Sequence, residues 1–391
     1  MTSPFWHYNC CAGFDPIALI KKYAVTKQKP TKSFITNFLG VLIDPKFFPG
    51  ILDGREDTVE GLPIPANFHA DVAEWGAALR AVELSGETFT MIELGCGWGC
   101  WMNNTGKVAK RLGKKCMLIG VEGDEGYIQF AKECLTINGF KSKEYKIIHG
   151  IAAAKNGFAL FPKQKFLGES YGLEPKFCED KDKIDRLLAT GKYYKLKMIS
   201  LSDIMELHSH IDLLHMDIQG GELSLINDAI EVINRKVSYL VIGTHSRQIE
   251  GKLFDTLISN GWILEIERPA ILSLEKSVPY VIVDGVQGWN PTIFEKNLNK
   301  IIMANSQGLA KAYLKSGWSI PEPEFTWSEG NMAVIEIPVS NTLLDKDLTV
   351  VMNFIPFGKQ NAIFYINDKK VYSCSIEKEK EIKLNIEKKT L

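Results

Sequence analysis

The sequence predicts an α/β fold with a doubly wound, seven-stranded sheet, followed by a small all-β domain. Three observations carry this expectation. Apolar runs alternate with helical patterns across residues 66–290. The runs are near-continuous in apolar residues, as strands covered by helices on both faces must be. Beyond residue 320 the helical patterns stop, and only short β-like runs follow: MAVIEIPV, LTVVMNF, NAIFYIN, KVYSCSI and EIKLNI.

Composition narrows the class of protein. The chain has 391 residues, 45% of them hydrophobic and 24% charged, an ordinary globular mix that excludes a disordered or collagenous chain. Lys and Arg number 46 against 47 Asp and Glu, so the net charge is −1 and no basic field points to nucleic acid or an anionic membrane. No apolar run reaches the roughly 18–20 residues of a membrane helix. The opening MTSPFWHYNCC has no basic stretch followed by an apolar one, so no secretory signal is expected. Eight cysteines are scattered without any C-x-x-C, which suits reduced thiols in a cytoplasmic protein and not a zinc site.

The elements follow in order. Residues 1–65 mix one helical pattern, FDPIALIKKYAV, with Pro- and Gly-broken apolar pieces, and are expected to form a cap or substrate-side segment. ANFHADVAEWGAALRAVEL (66–84) is helical, with Asn67 as the expected N-cap. Strands are expected at 88–94, 116–122, 145–153, 211–218, 238–245, 262–268 and 280–285, and helices at 101–112, 125–138, 221–235 and 247–260. The last two strands are joined too tightly for a helix and should run antiparallel. Residues 155–197 are polar and weakly periodic, an insertion or lid. A helical linker (291–319) and a sandwich-like β domain (320–391) complete the chain, the latter with an Asn-Asp turn in YINDKKVY.

Chemistry concentrates at strand ends. IELGCGWG places Glu93, Gly95, Gly97 and Gly99 between a strand and a helix, where glycines let a ligand approach the backbone. A dinucleotide fingerprint wants a small residue where Cys100 stands, which argues against a nicotinamide enzyme. Glu122 ends the next strand, placed to accept ribose hydroxyls, with Gly123 beside it. Gly150 and Ile151 end the third and would border an adenine. In HMDIQGGELSLI, Asp217 leaves the fourth strand and Glu222 falls in the first turn of the next helix; His245 ends the fifth strand. These acids and the imidazole offer either a general base or a hard-metal ligand set. Arg247, Trp289 and His69 are weaker candidates for substrate contact.

The acid followed by G-x-G-x-G resembles motif I of the class I S-adenosylmethionine-dependent methyltransferases. Asp217 to Glu222 resembles the D-x-E-G-x-E segment of the FkbM family, with Gln219 standing where that family has Glu. His245, and Asn138-Gly139 closing the second helix, match further, and the likeness spans residues 88–270. The resemblance implies a Rossmann-like fold and S-adenosylmethionine, held by Glu93, Gly95, Gly97, Gly99, Glu122, Gly123, Gly150, Ile151 and Asp217. It also implies O-methylation of a sugar hydroxyl with His245 and Asp217 as catalytic residues. It leaves open a divalent metal, Mg or Mn, on Asp217, His245 and Glu222. The expected partner is a nucleotide-activated sugar used for a bacterial capsule or other surface polysaccharide; a homodimer is left open. Two alternatives stand beside it: methylation of a non-sugar hydroxyl, and a glycan-binding scaffold on an inactive methyltransferase fold.

Overall fold

The structure is a computed structural model that describes residues 10–291, 314–320, 322, 325–335 and 347–387. The chain divides into two compact units, Met1–Pro291 and Thr292–Leu391.

The first unit is built on seven strands: β1 (Thr88–Leu94), β2 (Lys115–Glu122), β3 (Tyr145–His149), β4 (Leu213–Met216), β5 (Leu240–Thr244), β6 (Trp262–Arg268) and β7 (Gly285–Pro291). Their spatial order is β6-β7-β5-β4-β1-β2-β3, and a two-residue strand, Cys11–Ala12, adds an eighth member beside β6. Strands β1 to β5 run parallel, while β7 lies antiparallel between β5 and β6. The order reverses between β1 and β4, and in open sheets of this kind ligands bind at the carboxyl ends on either side of that reversal.

Helices α1 (Pro16–Tyr23), α2 (Val72–Leu84), α3 (Cys100–Arg111), α4 (Glu125–Ile137), α5 (Lys181–Ala189), α6 (Leu201–Glu206), α7 (Glu222–Lys236) and α8 (Arg247–Ser259) complete the unit. Alternate strand residues feed two cores. Phe89, Met91, Leu118 and Leu213 face α2, α3 and α4; Ile92, Leu94, Ile119, Leu214 and Met216 face α6, α7 and α8. None of the described helices is long and apolar enough to cross a membrane.

Several expectations are corrected. The expected strand at 280–285 is instead part of a protruding hairpin, Ile271–Glu275 with Val278–Val283, and the strand paired with β6 is β7. The third strand breaks at Gly150: residues Ile151–Ala153 join Gly157–Pro162 and Tyr193–Ser200 in a separate three-stranded sheet, so the insertion is ordered in part. Asp71, not Asn67, caps α2 by accepting from the Ala73 and Glu74 amides. Asn67 closes the preceding turn on the amides of His69 and Ala70.

Residues 10–65 share the core of the first unit. Ile35, Leu39, Val41, Phe47 and Leu52 are fully buried against α3 and α4. Asn37 donates to Asn104 on α3 (2.6 Å), and Asn138 at the end of α4 exchanges two hydrogen bonds with the Leu42 backbone, 2.8 and 2.9 Å.

In the second unit, antiparallel pairs Leu348–Phe354 with Lys380–Ile386 and Gln360–Ile366 with Lys369–Ile376 enclose a small core of Ile376, Ile382 and Leu384. Asn367 and Asp368 both take positive φ (45° and 63°), as a two-residue hairpin turn requires. The expected helix at 292–316 lies almost wholly outside the described residues.

Candidate active site

The first half of the site is the turn after β1. Gly95 and Gly97 hold φ of 71° and 51°, accessible to glycine at no cost. A Cβ on Gly95 would overlap the Asp217 carbonyl, so glycine lets the ends of β1 and β4 meet. Glu93 does not reach the cleft. It is 2% exposed, and its carboxylate accepts from the Met102 amide at 2.9 Å and the Trp101 amide at 3.3 Å, capping α3. Burial pushes its carboxyl up to about 7, against the pull of His215 and those amides. Gly99, at φ 76°, starts α3 and faces Ala131 of α4 and not the cleft. Both residues shape the turn: Glu93 by capping α3 and Gly99 by opening that helix.

Glu122 braces the neighbouring edge. Its Oε2 accepts from the Gly97 amide (2.8 Å), and its Oε1 from the amides of Gly123 (2.7 Å) and Asp124 (2.8 Å). Oε1 is filled by its two amides, while Oε2, with one, keeps lone-pair capacity for a ribose hydroxyl. The Gly123 carbonyl takes the Tyr194 hydroxyl (2.7 Å) and lies 3.1 Å from His149 Nε2; a Cβ on Gly123 would strike Phe161 at 2.5 Å. The Gly150 amide donates to the Glu122 carbonyl at 2.9 Å, while Ile151 is packed with Ala159, Phe161 and Leu196.

The second half gathers at the ends of β4 and β5. His245 stands between two carboxylates: Nε2 lies 3.1 Å from Asp217 Oδ1 and Nδ1 lies 3.0 Å from Glu222 Oε1. These are close ion pairs, but neither ring nitrogen is aligned on its carboxylate as a hydrogen bond. Glu222 is wholly buried, and its Oε1 also accepts from the amides of Ile218 and Gly220, both at 3.1 Å, which holds the Gly220-Gly221 turn. Burial would lower the His245 pKa, yet Asp217 and Glu222 outweigh it and push the imidazole up to about 10. Partial burial would raise Asp217, but His245, His215 and His69 hold it below the usual carboxylate range.

Three residues at this site went unselected in the sequence. Asp284, just before β7, brings Oδ2 to 3.9 Å from His245 Nε2. His215 on β4 is buried and bound through Nε2 to Glu74 Oε1 at 3.0 Å, with Nδ1 unpartnered. Tyr171, from the insertion, lies on the glycine turn. The Asp in front of a strand was a usable signal for Asp284; nothing in the aperiodic insertion marked Tyr171.

The substrate candidates divide. His69 is at the site, its ring against Trp98 and Trp101 (centroids 5.6 and 5.4 Å) and coupled to Asp217; burial pushes it down to about 4, so it is neutral. Arg247 is half exposed and paired with Glu250 at 3.2 Å. Trp289 is corrected. It is fully buried on β7, against Phe254 of α8, because its strand lies inside the sheet and not in a loop. Trp289→Ala should therefore cost about 3–5 kcal/mol of stability, read by chemical denaturation, with no specific loss of acceptor affinity.

A strand order that reverses between β1 and β4, a glycine turn on β1 and an acid ending β2 define the fold as that of a class I methyltransferase. A family model described as "Methyltransferase FkbM domain" matches residues 85–275. A relative from Jannaschia sp. (strain CCS1), named as a candidate methyltransferase, is 46% identical over 255 residues, 64% of this chain and 90% of the relative. Among solved structures, methyltransferase FkbM from Methylobacillus flagellatus KT is 14% identical over 56% of this chain and 54% of that one, with a TM-score of 0.35. The ribosomal protein L11 methylase from Lactobacillus delbrueckii subsp. bulgaricus is 12% identical over 57% of this chain and 80% of that one, with a TM-score of 0.31. The chain belongs to the FkbM family of methyltransferases.

The family implies S-adenosylmethionine as methyl donor. The residues present fit it: Gly95 and Gly97 put no side chain of their own into the turn, and Glu122 Oε2 offers acceptor capacity one strand away.

Proposed function

We propose that the protein transfers a methyl group from S-adenosylmethionine to a sugar hydroxyl, with a nucleotide-activated sugar for a bacterial surface polysaccharide as the acceptor, in the cytoplasm. The observation that carries this reading is the Asp217–His245–Glu222 cluster at the carboxyl ends of β4 and β5, one strand from the glycine turn. The donor supplies an electrophilic methyl on a sulfonium. The chain must hold the acceptor in line with it and take the hydroxyl's proton, since an alcohol ionises far above pH 7. Asp217 is the exposed carboxylate of the cluster, with a side chain 41% accessible, and suits hydrogen bonding to the hydroxyl. His245 behind it holds Asp217 in place and accepts the proton once it has lost its own.

A second reading is favoured by one observation. One ligand atom each from Asp217, Glu222 and His245 lies within 4.8 Å of the others. Both His245 nitrogens and Glu222 Oε2 lack aligned partners despite burial. Those three residues would then hold Mg or Mn, which would polarise the acceptor hydroxyl.

The test is a mass-detected methyl-transfer assay over a panel of nucleotide sugars, with and without EDTA. Transfer that survives EDTA supports His245 and Asp217 as the proton-accepting pair. Transfer lost to EDTA and restored by Mg or Mn supports the metal reading. Donor binding without transfer to any sugar overturns the sugar assignment in favour of a non-sugar hydroxyl. Absence of donor binding supports an inactive scaffold.

A further inference from the structure

We propose that Tyr171 is a positioning residue for the sulfonium of the methyl donor, its ring forming the outer wall of the donor cleft at the Gly97 turn. The proposal rests on the family's donor and is independent of which acceptor is methylated.

The placement is direct. A Cβ built on Gly97 would meet Tyr171 Cε2 at 2.9 Å and its hydroxyl at 3.2 Å. The ring therefore stands edge-on against the Gly97 backbone, at the turn that would hold the donor. It is 43% exposed, which leaves ring surface open to a ligand laid along the turn. Phe48 (centroid 4.7 Å) and Tyr127 (5.5 Å) meet it in edge-to-face contacts and fix its orientation.

The segment carrying the ring is held from several sides. Gln164 and Ser170 exchange hydrogen bonds of 2.8 and 2.7 Å, and the Lys165 amide binds Glu169 at 2.6 Å. Leu167 packs on Gly126, and Gly168 lies between Phe130 and Pro49. The next residue, Gly172, faces the Gln219 amide, so the segment reaches from the donor turn to the Asp217 turn. Gly168 and Gly172 hold φ of 74° and 71°, which sets the path of the segment.

The chemistry of the wall suits a cation. A phenol ionises only at about pH 10, so the ring is neutral at physiological pH. A neutral aromatic ring attracts a cation through its quadrupole. S-adenosylmethionine carries that positive charge, and its product S-adenosylhomocysteine has lost it. The ring should thus favour the charged donor over the spent product, whereas a merely apolar wall would serve both alike.

The experiment is calorimetric titration of S-adenosylmethionine and S-adenosylhomocysteine into wild type, Tyr171→Phe and Tyr171→Leu, with circular dichroism and thermal unfolding to verify the fold. The expected result is that Tyr171→Leu weakens the donor about two- to thirtyfold and the product under about twofold, while Tyr171→Phe stays near wild type for both. Equal weakening of both ligands by Tyr171→Leu would overturn the proposal, leaving the ring as a plain wall. So would unchanged binding, or tighter binding of both, which would make the ring an obstruction. Failure of the wild type to bind either ligand would defeat the donor assignment itself, a result separable from any effect of Tyr171.

Discussion

At about pH 10, where the imidazole has given up its proton, replacing His245 by alanine is expected to cut metal-free methyl transfer by about 10²–10⁴-fold, the usual contribution of a positioned proton acceptor. Binding of S-adenosylmethionine should survive, because Gly95, Gly97 and Glu122 are untouched. The variant also leaves Glu222 buried without its cationic neighbour, with two backbone amides still donating to its Oε1. His245→Gln keeps much of the volume and separates the chemical loss from a packing defect. The pH dependence has a definite sign. The folded imidazole sits at about 10 against 6.5 for the free group. Its contribution to stability is therefore fully present below pH 6.5, declines between 6.5 and 10, and is gone above about 10. Thermal unfolding of wild type and His245→Gln at pH 6, 8 and 10 should show the gap between them closing as pH rises. The rate of metal-free transfer should climb over the same interval as neutral imidazole accumulates. A flat rate profile with EDTA present would remove His245 as the base.

The second large effect is on stability. Arg268, on β6, is 3% exposed and paired through Nε with the equally buried Asp71 that caps α2. Its other nitrogens donate to the carbonyls of Pro269 and Asp284. One guanidinium thus ties together α2, β6 and the residue that approaches His245. Arg268→Ala strands a buried carboxylate and should cost about 3–5 kcal/mol, seen as a lower denaturation midpoint. Removing both charges, as Asp71→Asn with Arg268→Leu, should recover much of that loss. A double variant no better than the single one would show that the hydrogen bonds to Pro269 and Asp284, and not the stranded charge, carry the effect.

The alternation from β1 to β6 was legible because central strands covered on both faces must be near-continuous in apolar residues, and MIEL, LIGVE and LVIGT are, apart from Glu93, Glu122 and Thr244 at or next to their carboxyl ends. β7 was not legible, for the opposite reason. GVQGWNP has two large apolar residues, and it is a strand because of what surrounds it. Gly288 is needed where Ile266 and Ala77 close in, and Gln287 is buried. The YVIV run just before it has the better strand pattern, yet forms one arm of an exposed hairpin. Pattern tells how a segment can be buried, not whether anything will cover it. At the candidate site, Gly95, Gly97, Glu122, Asp217 and Glu222 stand out because glycines and acids at strand ends and the turns after them have few structural reasons to be there, and His245 because it ends the strand beside Asp217. The division of labour was hidden, since only side-chain geometry shows Glu93 turned inward to cap α3 while Asp217 remains accessible. Tyr171 was invisible because its partner is a glycine distant in sequence, and a contact between a ring and bare backbone leaves no periodic trace.

The position of β7 separates ancestry from foldability. The family likeness runs over residues 85–275, yet the strand that joins β5 to β6 is Gly285–Pro291, and the helix packed across β7 is α2, before residue 85. A fragment trimmed to the conserved stretch would carry a sheet with an empty slot between two of its strands. Both flanking edges would be left with open backbone hydrogen bonds, the templates on which chains aggregate. Expression of the catalytic part alone therefore calls for a fragment that starts early enough to include Ile35–Leu52 and runs at least through Pro291. A shorter piece is expected to be recovered from inclusion bodies, whatever its content of catalytic residues.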